Sequence, residues 1–309
     1  MSNRLTRRQL LAAAGSAAAA AALSPRALAQ QAQPKPEWKL SLNSSSIRQA
    51  NVTEKVQIAA QAGYQAIELW SDELARHAEE GGSLKELGQR IADLGLEVPD
   101  VIGLWNWLPE NREALPQALE GVKPRIEQAA QVGSKHIAAV PTPDRDNVDL
   151  LWGAECYRRL MEVGDQYKIT VAIEFVGFLR GIHRLGQAAM MAVESGRPDA
   201  CIVADTFHLY RGGSDFQGVK LLSRHALAVF HWNDVPAQPP REQLGDEHRI
   251  YPGDGILPLT QLLRDLRDIG FYGPLSLELF NRGYWQQPAL EVARTGLGKM
   301  RQLIAASEA

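Results

Sequence analysis

The feature that most constrains this chain is a repeated alternation. Short apolar runs are separated by longer amphipathic stretches, and the pattern recurs eight times after Lys39. The runs are Lys39–Asn43, Ala66–Trp70, Val98–Leu104, His136–Val140, Thr170–Phe175, Cys201–Asp205, Val229–Trp232 and Leu275–Leu279. Most are β-branched or leucine-rich and lack polar alternation, as strands buried on both faces should. The intervening stretches read as helices. Thr53 precedes Glu54–Ala62 and Gly63 follows it; Ser83 precedes Leu84–Leu94 and Gly95 follows it; Arg112–Val132 ends at Gly133. Further stretches are Val148–Tyr167, Leu185–Glu194, Asp215–Ser223, Leu257–Ile269 and Pro288–Ala305. Polar starts and glycine stops are the ordinary signals of helix ends. Pro124 lies inside the third stretch and predicts a kink there. Eight strand–helix units over residues 38–309 predict a single (β/α)8 TIM barrel. A doubly wound sheet would carry a glycine-rich phosphate loop after an early strand. No G-x-G-x-x-G or Walker pattern occurs, so no nucleotide cofactor is expected.

The N-terminus reads differently. Arg4, Arg7 and Arg8 precede a 14-residue apolar stretch from Leu10 to Leu23, followed by Ala27-Leu28-Ala29. A basic start, a short apolar segment and an A-x-A triplet predict a signal peptide over residues 1–29, too short to span a bilayer as a helix. Thr6-Arg7-Arg8-Gln9-Leu10-Leu11 resembles a twin-arginine signal. It implies the twin-arginine export machinery as a partner and a periplasmic location. Residues 30–37 read as a polar linker containing Pro34 and Pro36. The whole chain has a formal charge of −3; residues 1–29 hold four arginines and no acid, so the remainder stands at −7. That balance argues against binding to a nucleic-acid backbone. Cys156 and Cys201 show no metal or redox spacing and are expected to be free and buried.

Barrel chemistry gathers at the C-terminal ends of the strands. Four consecutive strands carry a metal-type ligand there: Glu174, Asp205, His231 and Glu278. Charged groups inside apolar strands are costly unless paired or metal-bound, and four at one end point to a shared divalent ion. Three carboxylates and one imidazole favour Mn²⁺, Mg²⁺ or Co²⁺, with Zn²⁺ also compatible. The charge left on such a site favours a neutral, oxygen-rich ligand. Glu68 ends the second strand and either faces the same cavity or is structural. Trp70, Trp105, Trp107, Tyr251, Tyr284 and Trp285 are candidate walls of a sugar-sized pocket.

Five stretches carry a resemblance: Ile173-Glu174-Phe175-Val176-Gly177, Asp205-Thr206-Phe207-His208, His231-Trp232-Asn233-Asp234, Asp246 to Gly255, and Ser276 to Asn281. Together they resemble the xylose-isomerase-like barrel superfamily, most closely its inosose isomerases, which act on keto-inositols. The resemblance implies metal ligation by Glu174, Asp205, His231 and Glu278, and acid/base work by Glu174 and Glu278. It implies a substrate-side role for His208 and an orienting role for Arg249, a surface salt bridge being the alternative for the latter. The implied substrate is a small polyhydroxylated ketone that loses a proton next to its carbonyl and passes through an enediolate. Competing expectations are a lyase acting on a 3-keto-sugar or dehydroshikimate-like substrate, a non-catalytic sugar-binding protein, and an endonuclease at abasic DNA sites.

Overall fold

A computed structural model describes residues 37–309. The predicted signal peptide and all of the predicted linker except Glu37 lie outside the described residues. Eight parallel strands close into a barrel in sequence order: β1 (Leu40–Asn43), β2 (Ala66–Trp70), β3 (Asp100–Leu104), β4 (His136–Ala139), β5 (Thr170–Glu174), β6 (Cys201–Asp205), β7 (Leu227–Trp232) and β8 (Leu275–Leu277). The closure is β1 on β8, with Leu40 opposite Leu275 and Leu42 opposite Leu277. This is the predicted TIM barrel.

Successive side chains on a strand face opposite sides, and here the two sides are chemically distinct. In β5, Val171 and Ile173 join the large apolar layer between barrel and helices. Ala172 between them belongs to a small inner cluster with Ile102, Ala138, Cys201, Val203 and Ala228. The same parity puts Leu275 and Leu277 outward and Ser276 inward on β8. Glu174, Asp205 and Glu278 continue the inward rows at the strands' C-terminal ends, and His231 joins them after the β6–β7 pairing shifts register, between Phe230 and Trp232 of the outer layer. Most of this inner cluster is alanine, cysteine or valine, so no aromatic side chain of the cluster fills the barrel beneath the site.

Among the described residues the α-helices are α1 (Val52–Ala62), α2 (Ser71–Glu79), α3 (Leu84–Asp93), α4 (Leu115–Gln131), α5 (Leu150–Tyr167), α6 (Leu185–Glu194), α7 (Thr206–Gly212), α8 (Leu259–Asp268) and α9 (Ala289–Glu308). The cap of α1 is Asn51, not Thr53. The Asn51 side chain accepts from Glu54 N while Glu54 reaches back to Asn51 N, a reciprocal pair that satisfies two end donors. Ser83 caps α3 as expected. Helix α4 continues through Pro124. The expected helix over Asp215–Ser223 is a 3₁₀ turn, Phe216–Leu221. The regular helix of that unit is α7, which starts directly at the end of β6. Its N-cap is Asp205, whose Oδ1 accepts from Phe207 N and His208 N. Both cysteines are free and buried; burial pushes each thiol up to about 12.

Candidate metal centre

The four sequence-predicted ligands converge. Each offers one atom to a group in which all lie within 4.8 Å of one another, and all four residues are buried. His231 Nδ1 stands at the centre: it is 3.1 Å from Glu278 Oε2, 3.3 Å from Glu174 Oε1 and 3.6 Å from Asp205 Oδ2. It is buried and makes no hydrogen bond. The other ring nitrogen, Nε2, lies 3.2 Å from Glu68 Oε1. A proton on Nε2 directed at Glu68 leaves the Nδ1 lone pair facing the carboxylates, which is the way second-layer carboxylates orient metal-binding imidazoles.

Glu68 does not end β2 as expected but lies two residues before its last residue, Trp70, and so sits deeper in the barrel, behind the ligand group rather than against substrate space. Its second oxygen accepts from Asn43 Nδ2 at 3.1 Å, and the same nitrogen is 3.2 Å from Glu278 Oε1. Asn43 is itself fixed, because its Oδ1 accepts from Trp70 Nε1 at 2.9 Å and Ser45 N at 3.0 Å. One amide at the end of β1 thus ties together a ligand, the carboxylate behind another ligand, and a wall tryptophan.

Arg249 is 1% exposed, which excludes the surface salt bridge. Its Nη1 donates to Asp205 Oδ2 at 2.5 Å and Glu278 Oε2 at 2.7 Å. Its Nε and Nη2 donate to Asp246 Oδ1, and Nη2 is 3.2 Å from His208 Nε2. The guanidinium lies 4.7 Å from the ring centre of Phe207 and 5.1 Å from that of Phe280. Its loop is anchored by Asp234, which accepts from the backbone N–H groups of Gly253, Gly255 and Leu257. Gly255 lies so close that a Cβ would come 2.1 Å from Val235 O. Glycine is needed there for the loop to fold onto Asp234.

The charges are unbalanced. Glu68, Asp100, Glu174, Asp205 and Glu278 are buried carboxylates of the barrel interior. Burial lifts Glu278 to about 7. Burial opposes ionisation of Asp205, but Arg249 and His208 beside it hold its carboxyl well below the usual range. Burial alone would depress His231; Glu278 and Glu68 outweigh it and raise the imidazole well above its ordinary value. Asp100, with both oxygens unpartnered, is pushed far up by burial and by Glu68. His208 goes down because it is buried. An oxygen-rich donor set, an orphaned imidazole nitrogen and an excess of negative charge fit a hard divalent cation.

Beside the group is a cavity of about 210 Å³, lined by Glu174, Glu278, Trp70, Trp105, Phe178 and Phe280 among others. Of the six candidate wall aromatics, Trp70 and Trp105 line it. Trp107 is fully buried against Tyr157. Tyr251 stacks on Tyr284 at 4.3 Å and reaches Val292 O of α9. Trp285 donates to Ser45 O. Asn43 and Phe178 have no part in the sequence reading of the site, and Asn233, Asp246 and Phe280 stand within the resembling stretches without an assigned role. Asn43 and Asn233 carried a signal, as polar residues at or just past strand ends. Phe178 carries none, since an aromatic after a strand is ordinary core.

The chain matches the profile of the xylose isomerase-like TIM barrel family over residues 56–303. An inosose isomerase of Bacillus velezensis is 25% identical over 264 residues, 83% of this chain and 94% of that protein. A 3-dehydroshikimate dehydratase of Pseudomonas putida is 22% identical over 252 residues, 81% of this chain but 39% of that longer protein. The crystal structure of the IolI protein with a bound zinc atom superposes with a TM-score of 0.80 at 22% identity, covering 87% of this chain and 99% of that one. This last likeness is one of fold. With the closed eight-stranded barrel and the match across most of its length, the chain belongs to the xylose isomerase-like TIM barrel family.

Proposed function

We propose that this protein is a divalent-metal-dependent isomerase or epimerase of a keto-sugar or keto-inositol. The observation that carries the reading is the set of four buried ligand atoms within 4.8 Å, with the free His231 nitrogen among three carboxylates. Glu174, Asp205, His231 and Glu278 would hold the ion, with Mn²⁺, Mg²⁺ or Co²⁺ favoured by the oxygen donors and Zn²⁺ the alternative that the IolI structure supports. A bound divalent ion would polarise the substrate carbonyl and offset the charge that develops on its oxygen.

The rest is the work of the chain's own groups. Glu174 and Glu278 extend from β5 and β8, so they approach a bound ring from different sides. One removes the proton next to the carbonyl and the other returns it, through an enediolate. A carboxyl near 7, as burial makes Glu278, can accept and release a proton at neutral pH. Arg249 holds Glu278 and Asp205 in place, and His208 presents its ring beside that guanidinium toward substrate oxygens. The similarity to inosose isomerases supports a keto-inositol or a ring ketone like it.

The second reading is a lyase on a 3-keto-sugar or dehydroshikimate-like substrate, favoured by the similarity to 3-dehydroshikimate dehydratases. Proton removal is shared by both. Incubation of metal-loaded protein with keto-inositols, ketohexoses and 3-keto-sugars in heavy water tests them together. Deuterium next to the carbonyl in a product of unchanged skeleton supports isomerisation, whereas loss of water or a substituent supports the lyase. No exchange with any ketone would overturn both. We also propose export to the periplasm through the twin-arginine route. Replacing Arg7 and Arg8 by lysine should retain a tagged chain in the cytoplasm; unchanged fractionation would refute this.

A further inference from the structure

The cavity lining changes character with position. Glu174, Glu278, His208, Arg249 and Asp246 form one hydrogen-bonded or ion-paired polar group around His231. Apart from Thr142, the remaining lining is apolar. Trp105 and Trp70 stack with ring centres 6.2 Å apart, and Phe280 meets Trp70 edge-on at 5.7 Å, giving a continuous aromatic band. Phe178 stands edge-on to His208 at 5.6 Å and lines the cavity, yet is 43% exposed. An aromatic held at the rim of a ligand-sized cavity, open to water, marks a surface that something apolar covers.

A ring with a hydroxyl on every carbon does not match this lining. Hydroxyls turned toward the polar group find partners; those turned toward the band do not, and each unpaired one weakens binding. Building on the ring-ketone reading above, we propose that the natural substrate carries an aromatic substituent or an apolar one of similar size. Its ketone and adjacent hydroxyl meet Glu174 and Glu278, and the substituent lies against Trp105 and Phe178. Phe178 is then a specificity-determining residue.

The test compares methyl and phenyl 3-keto-β-glucosides with metal-loaded full-length protein, following deuterium incorporation from heavy water. The phenyl compound should show at least tenfold higher kcat/KM, in line with what an apolar pocket discriminates. Phe178→Ala should shrink that ratio to about threefold or less, and Phe178→Leu should preserve part of it. Equal kcat/KM for the two compounds, or equal losses on both with Phe178→Ala, would overturn the proposal. If neither compound exchanges, the reaction reading is decided by the wider set of ketones above, and binding decides this inference separately. Calorimetry with the unoxidised methyl and phenyl β-glucosides should then show phenyl binding at least tenfold tighter, weakened by Phe178→Ala; equal affinities would overturn it. Phe178 is half-exposed, so its replacement leaves the packed core untouched.

Discussion

The two halves of the barrel carry similar residues to different ends. Strands β5–β8 provide every member of the candidate metal group. Strands β1–β3 provide Asn43, Glu68 and Asp100, equally buried and equally inward-facing, yet none of them belongs to it. Glu68 is the clearest contrast with Glu174. Both are inward glutamates, but Glu174 is the last residue of β5 whereas Glu68 lies two residues before the end of β2. Glu174 reaches the Nδ1 side of His231, whereas Glu68 reaches the Nε2 side. A single imidazole divides the interior into a side that ligates and a side that orients. The comparison teaches that an inward strand carboxylate becomes a ligand through the face of histidine it meets, and that two residues of depth in the barrel decide which face that is.

The sharpest break of the comparison is to neutralise one residue on each side. Glu278→Gln and Glu174→Gln should each lower solvent-deuterium exchange by at least about a thousandfold, since they remove an acid/base group and a ligand together. Glu68→Gln should leave measurable turnover. If Glu68→Gln were as damaging as the other two in metal-saturated protein, the division into ligating and orienting sides would be lost.

Protons offer a second way in. Burial places Glu278 near 7, and its acidic neighbours raise His231 against the opposing effect of burial. Below neutrality both groups carry protons that a cation must displace. Metal affinity should therefore rise with pH, by up to about a hundredfold from pH 6 to pH 7 if two protons are released, and more shallowly above the Glu278 value, where only the His231 proton is left to displace. Titration calorimetry in buffers of differing ionisation enthalpy counts the protons. An affinity flat across this range, with no proton release, would contradict the charge imbalance described for the site.

How much of this was legible beforehand follows from the same division. Glu174, Asp205, His231 and Glu278 stood out because each interrupts an apolar strand at one end, and the eightfold alternation said which end that was. The second side was harder to read. Glu68 was visible, but its role depends on the register that sets Asn43 beside it and on the ring that His231 turns toward it. Arg249 lies outside any strand; its burial depends on Asp234 folding the loop back, a long-range contact with no local period. Helix α7 escaped because Thr206–Gly212 is short and mostly buried, leaving no amphipathic stripe to recognise. Asp205 looked like a ligand and is also the cap of that helix, so one residue carried two signals and only one was apparent.

On the orienting side, Glu68→Gln should keep the fold and lower metal affinity by about 10- to 100-fold, the usual cost of losing a partner that fixes a ligating histidine. A competition assay with a coloured chelator reads this directly. Unchanged affinity would mean that the His231 ring is held by packing alone, reducing Glu68 to a structural carboxylate.

The smallest expected effect belongs to Asn43, and it separates orientation from ligation most finely. Its side chain hydrogen-bonds one member of the group, Glu278, at 3.2 Å, and serves Glu68 and Trp70 at the same time. Asn43→Ala leaves Trp70 Nε1 without its acceptor and two carboxylates short of a donor, a loss of order 1–3 kcal/mol where groups are buried. Shared between stability and function, that predicts about a tenfold drop in kcat/KM with metal stoichiometry kept at one per chain. Asn43→Asp preserves the acceptor for Trp70 but adds a negative charge among carboxylates, so it should lower turnover more than alanine does. If alanine and aspartate behaved alike, Asn43 would be acting through its volume, and the hydrogen bonds linking the two halves of the barrel would carry no part of the function.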